Sequence, residues 1–218
     1  MSDQKVTEGS IANTVRIKYR PHCVADRTPP GWVDAVLPFF RAAAQVYCRN
    51  AMYHRSTSDG FLALRTPEGL AVTATKTHKD QLVSDRIVLV HDYDETTNTV
   101  SYSGSALPSG EAVELSIMAA KLPSLHSFIH THASALFVRN PRFAGRIGIG
   151  RHPSGLPMTG YELTSVLDGH DQGMVILEEH GELFFHSSTE PAPIVDLIEG
   201  ACHAVRADLE LPEQLVVH

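Results

Sequence analysis

Between Trp32 and about Tyr53 the apolar residues recur at helical spacing, with Val36, Phe39, Phe40, Ala43, Ala44 and Tyr47 in one stripe, which predicts an amphipathic helix laid on a core. Pro38 falls inside that window and has no N–H to give to a helix ladder, so regular helix is expected only from near that position. The period then changes. GFLALR after Ser58-Asp59, GLAVTAT after Pro67-Glu68 and DRIVLVHDY before the polar DETTNT are short apolar runs between turn residues, and they predict an antiparallel meander. In PSGE, Ser109 is placed to cap a helix that carries Val113, Leu115, Ile117, Met118 and Leu122. HSFIHTH reads as a short strand, Ser134 to Val138 as a short helix, and residues 140–160, with Pro141, Pro153, Pro157 and five glycines, as loop. GMVILEEHGELFFH reads as a hairpin turning at His180-Gly181, and Pro191 to Leu209 as a second long helix.

Irregular alternation of strands and helices predicts an α/β fold, a three-layer α/β/α domain with a central, largely antiparallel sheet. One domain over 32–218 is expected, preceded by an irregular lead-in over 1–31, where Pro21, Pro29 and Pro30 interrupt any period. The 218 residues are 43% hydrophobic and 20% charged, enough for a single core of this size to hold without staples.

Net charge is −7, and the 18 Lys and Arg are scattered, so the basic patch of a nucleic-acid binder is missing. Cys23, Cys48 and Cys202 are far apart and form no CxxC, which fits a reducing compartment and reads as three buried small hydrophobes. The amino terminus has no apolar h-region and no window reaches the length of a membrane span. A soluble cytoplasmic protein is expected, with a small molecule rather than nucleic acid or membrane as its partner.

The 13 histidines say little by number, so position has to decide. In a strand, side chains two apart share a face, so His130 and His132 in FIHTHAS project toward one point, with Phe128 on the same face and Ile129 on the other. A buried imidazole pair needs partners, and a divalent cation bound by neutral ring nitrogen supplies one. His180, at a tight turn after the apolar MVIL, is a third candidate ligand. His126, His152, His170, His186, His203 and His218 lack such a context. Glu111 reads first as a first-turn carboxylate favoured by the helix dipole; the alternative, a proton shuttle, needs a cation nearby.

PSGEAVEL, FIHTHAS and VILEEHGEL, in this order and spacing, resemble the class II aldolase/adducin family, which includes fuculose-phosphate aldolases and ribulose-phosphate epimerases. The resemblance spans roughly residues 32 to 205, with GFLALR and AVTATKTHKDQL as weaker matches. It implies zinc ligands at His130, His132 and His180, a catalytic acid/base at Glu111, and a homotetramer. It also implies substrate contacts at Thr75, Lys76, Ser109 and Gly110. The chain departs from the family pattern where Phe61 replaces the asparagine of a Gly-Asn pair, Thr75-Lys76 replaces Thr-Gly, and Gly110 replaces a serine. Lys76 and Lys79 offer positive charge in that loop, against the reading of a solvated turn. The family's tyrosine proton donor has no clear counterpart, since Tyr161 falls in the expected loop.

The resemblance implies a lyase that cleaves a C–C bond, by aldol chemistry or decarboxylation, in a hydroxy-carbonyl compound or 2-oxo acid. One divalent metal per chain is expected, zinc first, with iron(II) or manganese as alternatives. Two other readings stand beside it. One is a non-haem iron(II) oxygenase on the same fold, which Phe61 would suit through an aromatic substrate. The other is a non-catalytic adducin-like interaction module, against which the retained histidines and Glu111 count.

Overall fold

A computed structural model describes residues 17–133, 135–143, 148–150, 155–211 and 216–217. Among these, nine strands make one sheet: β1 (Arg20–Ala25), β2 (Phe61–Thr66), β3 (Gly69–Thr73), β4 (Ile87–Asp94), β5 (Thr99–Ser103), β6 (Ser127–Thr131), β7 (Gln172–Leu177), β8 (Gly181–His186) and β9 (Val216–Val217). Their order is β1-β5-β4-β3-β2-β6-β8-β7-β9. Neighbours run antiparallel except the outermost pairs, β1 with β5 and β7 with β9. The helices are α1 (Trp32–Arg49), α2 (Ala112–Lys121), α3 (Pro157–Leu167) and α4 (Pro191–Arg206).

Strand alternation sorts the apolar residues into two cores. Leu62, Leu89, Ile129, Met174, Ile176 and Phe184 point to one face, where α1 and α4 cover them. Phe61, Ala63, Val72, Phe128, Val175 and Phe185 point to the other, under α2 and α3. The expected three-layer α/β/α architecture and the meander β2-β3-β4 are therefore present, and β5 extends the meander.

Several local expectations differ from the structure. Strand β1 lies inside the expected irregular lead-in. All six of its residues are exposed, so it has no apolar alternation to read, and it is fixed instead by parallel pairing with distant β5. Helix α1 runs through Pro38 from Trp32, because burial of Trp32, Val36, Phe39 and Phe40 outweighs the one ladder bond that proline forfeits. Helix α2 is capped at Glu111 rather than Ser109; the Ser109 hydroxyl lies 3.5 Å from the Glu111 N–H. Residues 135–139 are turns, not helix, and Ser134 is outside the described residues. Part of the expected loop is α3, which starts on Pro157 at its first position, where a proline costs nothing. Helix α4 stops at Arg206, short of Leu209. Of the cysteines only Cys202 is buried; Cys23 is exposed and Cys48 intermediate.

Helix α3 approaches α2 closely because Gly160 faces it. A Cβ there would lie 3.1 Å from Glu114 Cα and from Ile117 Cβ. No described helix is long and apolar enough to cross a membrane.

Candidate metal centre

Strand β6 lies between β2 and β8 near the middle of the sheet, with His130 opposite Phe61 on one side and Leu183 on the other. Two glycines let the neighbouring chains close on this strand end. A Cβ on Gly60 would sit 2.1 Å from the His130 carbonyl oxygen, and one on Gly181 2.1 Å from that of Thr131. The close approach of Gly181 brings the β7–β8 turn, and with it His180, over the histidine pair.

Three imidazoles meet there through their Nε2 atoms. His132 Nε2 is 3.0 Å and His180 Nε2 3.3 Å from His130 Nε2. Glu111 Oε1 lies 3.3 Å from His130 Nε2 and 3.5 Å from His180 Nε2. All four ligand atoms fall within 4.8 Å of one another, and they form the one such His/Cys/Asp/Glu group among the described residues. Nitrogen ligands about 2.0–2.1 Å from a tetrahedral cation are about 3.3 Å apart, so the ring spacing matches a cation-binding set. His130 forms the floor with its side chain 3% exposed, while His132 and His180 are 24% and 22% exposed, leaving the cluster open on their side.

Electrostatics favour neutral, ligand-ready rings at His132 and His180 and oppose this at His130. Burial, reinforced by the neighbouring His130, brings His132 down to about 3 and His180 down to about 4, so both are neutral near pH 7. Burial alone would lower His130 as well, but the Glu111 carboxylate and the hydrogen bonds to Glu111 and the Glu182 carbonyl raise it. Burial pushes the Glu111 carboxyl up, yet its attraction and hydrogen bond to His130 dominate and hold it well below the usual carboxylate range. Behind Glu111 and His130 the wall is made by Phe61, Met118, Leu163, Leu177 and Leu183, with the Glu114 carboxyl as its one polar group. The Phe61 ring lies 5.4 Å from that of His130.

The other expected site residues gather beside Glu111. Ser109 N–H donates to Thr73 and Thr75 N–H to Leu107, so residues 73–76 and 107–110 run side by side. Ser109 Oγ donates to Glu111 Oε2 at 3.4 Å, and the Gly110 carbonyl packs against Gly155. Thr75 Oγ1 is buried with no hydrogen-bond partner among the described residues. Lys76 is exposed and takes a positive φ of 58°. Lys79 is neither a solvated turn residue nor available to a ligand. It is 3% exposed, donates to the carbonyls of Asp59 (2.6 Å) and Gly60 (2.7 Å), and burial brings it down to about 8. Tyr161, on α3, donates to Glu95 under the Lys121 ammonium and lies in a separate groove.

Sequence reasoning passed over three carboxylates. Asp59 accepts the N–H groups of His54, Arg55 and Ser56 and lies 4.0 Å from His132 Nδ1; a Ser-Asp-Gly turn signal concealed it. Glu114 and Glu182 are buried acids within otherwise apolar segments, an anomaly visible in the sequence.

No known family profile matches this sequence, and no curated protein matches it. Solved structures do. YgbL from Klebsiella pneumoniae, described as a candidate aldolase/epimerase/decarboxylase, aligns over 80% of this chain and 90% of its own, with TM-score 0.59 and 18% identity. A sugar-phosphate aldolase from Thermotoga maritima aligns over 82% and 98%, with TM-score 0.58 and 16% identity. L-fuculose-1-phosphate aldolase from Thermus thermophilus aligns over 80% and 92%, with TM-score 0.57 and 13% identity. Across most of its length, then, this chain has the fold of the class II aldolase superfamily.

Proposed function

We propose that the protein is a metal-dependent lyase of the aldolase type, with His130, His132 and His180 as ligands of one divalent cation and Glu111 as the group that moves the proton. The observation that carries this reading is the convergence of three Nε2 atoms at 3.0 and 3.3 Å. Zinc suits three imidazoles at that spacing; manganese and iron(II) accept the same donors. Bound there, a divalent cation supplies Lewis-acid charge that favours the enediolate or enolate form of a hydroxy-carbonyl compound or 2-oxo acid.

A cation held by the three rings would keep Glu111 ionised, as a base must be, and its Oε1 faces the same point as the ring nitrogens. It accepts the proton released when the C–C bond breaks and returns it to the new carbanionic carbon. Phe61 and the leucines behind it keep bulk water from Glu111. Ser109 orients the carboxylate by donating to its second oxygen. Thr75, Lys76 and Gly110 form the adjoining wall, where the buried Thr75 hydroxyl and the Lys76 charge would take the polar end of the substrate. A homotetramer and a cytoplasmic location belong to the same proposal.

Metal analysis by mass spectrometry on untagged protein tests it. One zinc, manganese or iron per chain, absent in His130→Ala and His180→Ala, supports the reading. So does retro-aldol turnover that is lost in Glu111→Gln while the metal stays. A folded wild type that takes up no metal overturns it.

A further inference from the structure

The acid two positions beyond His180 is the most deeply buried carboxylate near the histidine cluster, and the proposed chemistry does not use it. Glu182 is 0% exposed, and its side chain points away from the cluster, across the sheet. Its Oε2 accepts the Thr131 hydroxyl at 2.8 Å and the Ala133 N–H at 2.9 Å, and its Oε1 accepts the Val138 N–H at 3.2 Å. The first two donors are the residues on either side of His132. Its main-chain oxygen accepts from His130 Nδ1 at 2.9 Å. The preceding residue, Gly181, is the one whose close approach seats His180. One position on β8 therefore binds the ring of His130 and both residues that flank His132, and lies two positions beyond His180.

We propose that Glu182 is a positioning residue for the candidate metal centre, and that its carboxylate acts through His132. Strand β6 ends at Thr131, so His132 lies beyond the ladder of the sheet. Its own N–H is bonded to Met52, but the rotation of its backbone is set by the residues before and after it. The Glu182 carboxylate fixes both with one oxygen. A chain end held on each side presents its ring in one orientation, which a ligand set with no slack in its Nε2 spacing requires. A carboxylate suits this position because it offers only acceptors to three converging donors, and those donors offset part of the cost of burying its charge.

This inference rests on the three histidines being metal ligands, so its test is built to separate the two. Zinc affinity is measured by competition with a chelating dye for wild type, Glu182→Leu and Glu182→Gln, each also in a His132→Ala background. Thermal unfolding in excess chelator follows the fold independently of metal. Glu182→Leu removes all three bonds and is expected to weaken zinc binding by about 10–100-fold. In the His132→Ala background the same change is expected to alter affinity by no more than about twofold. Glu182→Gln can keep its amide oxygen toward Thr131 and Ala133 while its NH2 meets the Val138 N–H, and is expected to bind zinc more weakly than wild type but more tightly than Glu182→Leu. Thr131→Val deletes only the 2.8 Å bond and gives the same dependence on His132 at smaller amplitude, which keeps the test open if Glu182→Leu does not fold.

Equal losses with and without His132, or no loss in either Glu182→Leu or Thr131→Val, overturn the inference. Weak binding in Glu182→Gln equal to that of Glu182→Leu would assign the effect to charge rather than position and also overturns it. A wild type that binds no zinc sinks the functional proposal instead.

Discussion

His130 Nδ1 lies 2.9 Å from the main-chain oxygen of Glu182, and because a carbonyl can only accept, this contact fixes the proton of the neutral ring on Nδ1. The lone pair is left on Nε2, aimed at His132 and His180. The sheet register thus selects a tautomer, since Glu182 and its neighbour Leu183 are placed opposite Thr131 and His130 by strand pairing. Nitrogen-15 NMR of the histidine rings is expected to show His130 protonated at Nδ1, with Nε2 the nitrogen whose shift moves on adding zinc. A signal from the Nε2–H tautomer would contradict the assignment.

Glu111→Gln keeps the size of the side chain and removes its ability to take a proton. Metal content is expected to stay near that of wild type while turnover falls by about 10²–10⁴-fold. Steady-state rates measured alongside metal content separate this outcome from simple loss of the cation.

Glu114 gives the fold a pH dependence. Burial first, and the nearby Glu111 charge second, push its carboxyl from 4.5 to about 8. The folded state therefore keeps a proton that the unfolded chain has released. This contribution is complete below about pH 4.5 and is lost as pH rises through 8, at up to about 1.4 kcal/mol per pH unit. Chemical denaturation in chelator at pH 5 to 9 should show wild type losing ground to Glu114→Gln up to about pH 8 and levelling above it. A constant difference between the two would mean that Glu114 is ionised in the fold throughout.

Gly181 and Gly200 should respond in opposite directions to alanine. At Gly181 the new methyl would meet Thr131 O at 2.1 Å and His132 Cδ2 at 3.0 Å. Forcing β8 off β6 costs about 1–3 kcal/mol or more, with Tm falling about 2–4 °C per kcal/mol in a protein of this length. Zinc binding should weaken too, since His180 immediately precedes Gly181 in the β7–β8 turn. At Gly200, inside α4, nothing lies within 4 Å, and alanine should add about 0.5–1 kcal/mol. Differential scanning calorimetry reads both.

Much of this was legible in the chain because it depends on short periods. Alternation in FIHTHAS put His130 and His132 on one face, and helical spacing from Trp32 marked α1. What stayed hidden depends on partners far along the chain. Strand β1 carries no apolar pattern and exists only against β5. Helix α3 was masked by Pro157 and Gly160, the first because a proline at a helix start looks like a breaker, the second because the glycine serves packing on α2. Lys79 could be read either as a solvated turn residue or as a charge offered to a ligand, because nothing local reveals that the carbonyls of Asp59 and Gly60 enclose its ammonium. The role of Glu111 could not be decided locally either, since only the folded sheet brings it beside His130 and His180.

His130 and His180 are 50 positions apart. In an unfolded chain, closing a loop of that length costs about 3.5 kcal/mol of chain entropy, so the tight three-nitrogen grip exists only after β6 and β8 have paired. A cation held there acts as a removable staple between the two halves of the sequence, across the seam of the sheet. Withdrawing it should loosen amide protection first along β6 and β8 and last in the meander β2-β3-β4, so the metal reports on the integrity of the sheet centre as well as on chemistry.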